Sequence, residues 1–487
     1  MKADLLLSGG TIITVDATRS VIEDGAIAIS GDRIAAIGPR GYVTRAHPAH
    51  RVIDTRHHVL LPGLIDAHSH AGCGLMRGLG AADPAAWAEA CRAVTLRGSS
   101  PSFWRAEARL SALERMMAGV TTFVSVLGAN EAAARCDDPA HGFAHCGGVA
   151  EIGIRGVLAV GPCGPPFPSI FASWEGGRSL EFPVPFERQL ETMQALVETC
   201  HGRGRAQIAL MMPPVPVDLA DAAEIAAIQR QGRLVIELQH RHRLLFHQDG
   251  HGRGSIELAD RIYGLLGPDS FVTPAHDLTP GDIATLERLN MAVVHTPAAL
   301  AELHGACPVA ALLERGVPVS LGSDGAAPEH GADPFRLMLL ARRSAQLAAQ
   351  DEGAIPPGKA LEMMTIDAAR TLRMDREIGI LEAGKKADII AVDLRAPHLA
   401  PRTMPLWLVV CFAEASDVAT VIVGGEVLME ARRLPTIDMA TVLDEAQLAT
   451  ELMLDRTGLR SALAEPKTLW GQTRSKTLRA PTGVRLP

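Results

Sequence analysis

Between Leu64 and Ser323 the chain alternates short apolar runs with longer stretches whose apolar residues recur at helical spacing. That alternation constrains the fold more than any other feature. The runs are Leu64–His68, Val120–Leu127, Gly156–Val160, Gln207–Met212, Leu234–Leu238, Phe271–His276, Ala292–His295 and Val317–Ser323. Amphipathic stretches lie among them, including Arg105–Met117, Phe186–Cys200, Ala222–Arg230, Pro280–Arg288 and Val309–Arg315. Eight strand-then-helix units predict an α/β fold, a parallel (β/α)8 TIM barrel over residues 61–379. Functional residues of such a barrel gather at the C-terminal ends of its strands.

The chain ends read differently. Residues 1–60 hold short strand candidates separated by Gly9-Gly10 and Gly31-Asp32 turns, and residues 380–435 return to β character in Ala387–Asp393, Leu408–Cys411 and Val418–Val423. Together they predict one small β-sandwich domain built from both ends. Residues 436–487 supply a C-terminal helix, Thr441–Met453, and an arm that packs on the surface or on a neighbouring subunit of a homo-oligomer, dimer or larger. A net charge of −8 without a basic run gives no reason to expect nucleic acid. There is no signal-peptide pattern and no membrane-spanning run. The eight cysteines lack a Cys-x-x-Cys spacing and read as reduced thiols of a cytoplasmic protein.

The first barrel strand ends in His68-Ser-His70, behind Pro62-Gly63-Leu64-Ile65. Residues two apart on a strand share a face, so these imidazoles form half of a metal site. Other strand ends offer His276, His295 and, in Leu321-Gly-Ser-Asp324-Gly, an aspartate. Two histidines and an aspartate are ordinary ligands for one divalent ion, with zinc the first expectation and iron, cobalt or manganese also accommodated. An open coordination position takes water, whose pKa then falls near neutrality. An aspartate touching ion and water can take that proton and deliver it to a leaving group. His295, Cys73 and Met76 are candidates to touch a small-molecule substrate, although Cys73 also reads as a packing residue.

Pro62-Gly63-Leu64-Ile65-Asp66-Ala67-His68-Ser69-His70 followed by Met76-Arg77-Gly78-Leu79 resembles the amidohydrolase superfamily. The similarity is greatest to the branch of triazine hydrolases, methylthioadenosine and adenosylhomocysteine deaminases, and cytosine or guanine deaminases. Glu114–Thr122, Val294–Pro297 and the closing Gly384-Lys-Lys-Ala-Asp388 belong to the same resemblance, which spans residues 3–435. It implies a barrel beside a small β-sandwich and one divalent metal on His68, His70 and Asp324. Asp324 would also shuttle the proton, and His276 would orient or polarise the electrophile. Two-metal relatives bridge their ions with a carbamylated lysine, and this chain has no lysine between Lys2 and Lys359.

The resemblance also implies a fifth strand ending in His-Leu-x-Glu, whose histidine is the third imidazole ligand and whose glutamate protonates a ring nitrogen. Read without gaps, Leu234-Val-Ile-Glu237-Leu-Gln-His240 carries the two residue types exchanged. Either Glu237 ligates the metal and His240 acts near the substrate, or an offset strand brings His240 or His242 to the ion; the ungapped match favours Glu237. Without that ring-protonating acid, the sequence favours hydrolysis of an open C–N bond of urea, carbamate, thiocarbamate or amide type. The alternative is deamination or dechlorination of an N-heterocycle, and a second is a catalytically inactive scaffold.

Overall fold

The computed structural model describes residues 2–463, apart from 81–82, 131–132, 176, 215–216, 219–220, 300–304 and 328–330, and also residue 470. Eight parallel strands form the barrel: β1 (Leu64–Asp66, resumed at Ser69–His70), β2 (Val120–Val126), β3 (Arg155–Val160), β4 (Ala206–Met211), β5 (Leu245–His251), β6 (Ser270–Ala275), β7 (Ala292–His295) and β8 (Val319–Leu321, resumed at Asp324–Gly325). Each pairs with the next in chain order. The first half of β8 pairs with β7 and its second half with β1, so the sheet closes on itself. Across the closure Leu321 O accepts from Ala67 N at 3.0 Å and His68 O from Asp324 N at 3.1 Å.

Alternate side chains follow the pleat. Ile65, Ala67, Val124, Val126, Val157, Ala159, Ala209, Met211, Phe271 and Val294 fill the barrel interior, while Phe123, Leu158, Leu210, Phe246, Val272 and Val293 pack outward against helices. Among those helices are α1 (Pro101–Met117), which follows β1, and α2 (Ala222–His242), which follows β4.

The fifth strand is not where the apolar pattern predicts it. Leu234–Leu238 lies inside α2, whose start is capped by Asp221 accepting from Ala223 N and Glu224 N at 2.9 and 2.8 Å. Its buried residues, Ile228, Gly232, Val235, Leu238 and Gln239, fall on one face at helical spacing, so the branched run Leu-Val-Ile is one turn of an amphipathic helix. The true strand, Leu-Phe-His247-Gln-Asp249-Gly-His251, escapes a hydrophobic pattern because the side chains it sends inward are polar.

The two chain ends meet in one sheet, ordered Glu426–Met429, Val418–Val423, Ile389–Asp393, His58–Pro62, Ala3–Ile13, Val21–Ser30 and Arg33–Pro39, with Ala49–Asp54 pairing beside Ala3–Ile13. Leu408–Cys411, expected as a strand, belongs instead to the helix Pro405–Cys411, which starts at a proline and buries Leu408, Val409 and Val410. Arg155 at the foot of β3 clasps Asp388 with two hydrogen bonds of 2.7 and 2.9 Å, tying small sheet to barrel. The C-terminal helix runs Met439–Thr457 and packs on α1. The arm expected beyond it lies outside the described residues from 464 onward, residue 470 excepted.

At the closure a methyl group on Gly322 would stand 2.9 Å from the backbone N and O of His68. We therefore expect Gly322→Ala to destabilise the fold by about 1–3 kcal/mol through overpacking, measured by chemical denaturation.

Candidate metal centre

The first strand breaks between Asp66 and Ser69. The break shifts the pleat: Ile65 and Ala67 point into the barrel below it, and His68 and His70 converge above it. Their rings stand edge to face at 4.9 Å, and both are buried. Asp249, two residues beyond His247 on β5, joins them, and ligating atoms of His68, His70 and Asp249 all lie within 4.8 Å of one another. Asp324 enters from the resumed half of β8. Its φ of 64° places it in the left-handed region, an uncommon state for a residue with a Cβ.

His70 Nε2 is 3.1 Å from Asp249 Oδ2 and 3.3 Å from Asp324 Oδ1. His68 Nε2 is 3.9 Å from Asp249 Oδ1 and 3.8 Å from Asp324 Oδ1, too far for hydrogen bonds. Two ligands of one tetrahedral ion, each bound at ordinary zinc distances, lie about 3.3 Å apart. His68 Nε2 is buried and has no hydrogen-bond partner among the described residues. His70 Nδ1 faces Gly128 O at 3.0 Å; a carbonyl only accepts, so Nδ1 carries the proton and the Nε2 lone pair is free to ligate. An unsatisfied imidazole nitrogen beside two carboxylates fits a divalent cation, and the mixed nitrogen and oxygen set suits zinc, iron, cobalt or manganese.

Electrostatics point the same way. Burial opposes a charge on His70, but Asp249 and Asp324 outweigh it and hold its pKa well above the ordinary value. Burial likewise disfavours the carboxylates, yet the two imidazoles lower Asp249 and take Asp324 well below the usual range. The cluster is therefore arranged for positive charge.

A buried network stands behind it. Arg115 of α1 donates to Asp66 Oδ2 at 2.8 Å and to Ser323 Oγ at 2.9 Å, and Ser323 donates from N and Oγ to the Asp66 carboxylate at 2.8 and 2.7 Å. These bonds hold the turn that presents Asp324.

His68, His70 and Asp324 are thus brought together. Glu237 and His240 are not: both sit on the exposed face of α2, and His240 lines a groove with His201, Gln207 and Asp269. Because the segment is helical, Glu237 and His240 do not stand at a strand end as the ungapped reading expects. Asp249 was missed; the signal for it was the period-two series His247, Asp249, His251 directly after Leu244-Leu245-Phe246. His276 follows β6, and a methyl group on Gly252 would stand 3.3 Å from its Nε2. His295 ends β7, its pKa lowered to about 4 by burial. Cys73 and Met76 are fully buried in the core outside the barrel, with Cys73 Sγ against Gly325; burial raises its thiol well above the usual pKa. The loop Gly161–Pro183 carries a hairpin whose Phe171 is buried beneath Arg135, so that ring is packing.

A closed β/α barrel with histidines and carboxylates converging at its strand ends defines a metal-dependent hydrolase. The amidohydrolase family model matches residues 59–428, and the chain belongs to that family, as a hydrolase of carbon–nitrogen bonds other than peptide bonds. It is 30% identical to a 5'-deoxyadenosine deaminase of Methanosarcina mazei, over 93% of this chain and 99% of that protein. It is 32% identical to a 5-methylthioadenosine/S-adenosylhomocysteine deaminase of Moorella thermoacetica, over 89% and 96%. In fold it is similar to a zinc-bound adenosine deaminase from Xanthomonas campestris, with a TM-score of 0.78 and 22% identity over 93% and 99% of the two chains. A zinc complex of atrazine chlorohydrolase from Arthrobacter aurescens gives a TM-score of 0.75 and 22% identity over 92% and 100%.

Burial keeps several histidines neutral in the fold: His141, His145 and His247 have pKa values lowered to about 3, and His251 and His295 to about 4. The unfolded chain takes up a proton at each near pH 6.5, so it binds more protons below that pH and stability falls on acidification. His70, raised instead, gives up stability only as the pH rises above 6.5 and adds no slope below it. Thermal melts of the metal-free protein are expected to show a Tm that declines steadily between pH 6.5 and 4.

Proposed function

We propose that this chain is an aminohydrolase that removes an exocyclic amino group from an N-heterocycle of a small molecule, using one zinc ion held by His68, His70, Asp249 and Asp324. The observation that carries this reading is the likeness to deaminases of adenosine derivatives along nine-tenths of the chain, combined with a ligand cluster at the strand ends. It reverses the order in which the sequence alone ranks the two chemistries.

When bound, the ion would supply Lewis acidity toward the attacking water, lowering its pKa. The protein does the rest. Asp324, with its backbone pinned by Ser323 and its carboxylate beside both imidazoles, takes a proton from the attacking water. It then returns that proton to the departing nitrogen. Water adds to the amino-bearing carbon, the C–N bond breaks and ammonia leaves; the remaining O–H proton passes to the ring nitrogen as the carbonyl forms. On this reading His276, which follows β6, is assigned to donate a hydrogen bond to the charge that develops on the ring nitrogen. The eight cysteines are free thiols, and no helix of the described residues is long and apolar enough to cross a membrane, which suits a cytoplasmic enzyme with small-molecule substrates.

One observation favours a second reading. Counting three residues on from Asp249 reaches Gly252, and from His247 reaches Gly250. In neither frame does a carboxylic acid stand where the family pattern has its ring-protonating glutamate. An open-chain urea, carbamate or amide needs only a polarised carbonyl, so hydrolysis of such a bond is the runner-up.

Ammonia release by the zinc-loaded enzyme should be measured on adenosine derivatives and aminotriazines, alongside turnover of ureas and carbamates. Turnover confined to open-chain compounds would replace the first reading with the second. Chelation should abolish activity and zinc restore it. Asp249→Ala should reduce zinc retained on purification at least about tenfold, whereas Glu237→Gln should leave it unchanged. A protein that binds no metal would be the inactive scaffold.

A further inference from the structure

The barrel interior holds a histidine for which the chemistry above has no use. His247 projects inward from β5, one layer below Asp249, and is fully buried. Its ring lies flat on Phe271, with centroids 4.4 Å apart and planes 15° from parallel. Its Nδ1 is 3.3 Å from Phe271 O, and its Nε2 is 3.2 Å from Nδ1 of His68. The same phenylalanine thus supplies both the surface under the ring and the acceptor at its edge.

These two contacts leave one proton arrangement for neutral rings. The Phe271 carbonyl can only accept, so the His247 proton is on Nδ1 and its Nε2 presents a lone pair. His68 Nδ1 must then carry a proton to donate to that lone pair. The remaining nitrogen of His68, Nε2, is left with a lone pair aimed at Asp249 and Asp324, and it is the buried imidazole nitrogen that has no hydrogen-bond partner among the described residues.

We propose that His247 is a positioning residue that sets the tautomer and ring orientation of His68, through the relay Phe271 O, His247, His68, so that Nε2 of His68 faces the metal. Metal-ligating histidines commonly donate their second ring N–H to a carboxylate, carbonyl or water. Here a second imidazole, itself oriented by a backbone carbonyl, takes that place. The opposite tautomer of His68 would point an N–H at the ion and remove a ligand. The relay rests on the reading that His68, His70, Asp249 and Asp324 hold a metal.

The test is zinc affinity of the full-length protein, measured by competition with a chromophoric chelator, for the parent, His247→Phe and His247→Gln. Phenylalanine keeps the stack on Phe271 and removes the acceptor; glutamine removes the ring and can restore an acceptor for His68. Affinity is expected to fall about tenfold to a hundredfold in His247→Phe and to recover most of that loss in His247→Gln. Equal affinity in all three proteins, or an equal loss in both variants, overturns the relay. If either variant does not fold, histidine-ring 15N spectra of the parent decide, with His68 assigned by its disappearance in His68→Gln. Protonated Nδ1 and unprotonated Nε2 on His68 support the relay, and the reverse overturns it. A parent that binds no zinc overturns the metal reading together with the relay, whereas a zinc-binding parent matched by His247→Phe overturns the relay alone.

Discussion

The closure of β8 onto β1 is the constraint on which the site depends. Asp324 is more than 250 positions from His68 in sequence, and no local preference brings them together. What does is a short run of parallel hydrogen bonds, with Asp324 N donating to His68 O, past a glycine at 322 where a methyl group would press on the His68 backbone. The Arg115–Asp66–Ser323 network then locks the turn from outside the barrel. Removing one partner of such a buried ion pair commonly costs about 3–5 kcal/mol, so the network also fixes the geometry of the strand ends it touches.

Much of this was legible in the sequence because most barrel strands bury both faces and read as continuous apolar runs. Residues 208–211 and 292–294 announce themselves in that way. His68, His70 and Asp324 were legible for another reason: each sits among glycines or a proline that mark where a strand must end. β5 obeys neither rule. Its interior positions are His247, Asp249 and His251, so hydrophobicity could not find it. The branched run in α2, two turns earlier in the chain, imitated it and carried Glu237 and His240 into the wrong place. Period two was written in 247, 249 and 251, but in polar residues rather than apolar ones. The strand that chemistry has altered most is the one a hydrophobic pattern finds least easily.

That same strand sets this chain apart from the pattern it otherwise follows. The relatives extend along almost its whole length, and the fold is theirs. Yet an aspartate takes up the position beside the histidine pair, and glycines stand where a glutamate is expected. A methyl group at 252 would stand only 3.3 Å from Nε2 of His276, so glycine there lets the ends of β5 and β6 approach closely.

Two neutral imidazoles and two carboxylates carry a formal charge of −2, equal and opposite to that of a divalent ion. With such an ion in place the centre would be electrically neutral, whereas three imidazoles with one aspartate leave a net positive charge. For groups as buried as His68 and Asp249 the difference matters, because an uncompensated charge in the interior is costly to hold. A neutral centre also exerts little long-range pull on an anion, so a charged substrate would gain nothing from the ion on approach. The aspartate on β5, standing in place of a third imidazole, would thus remove long-range attraction as a means of selecting what enters.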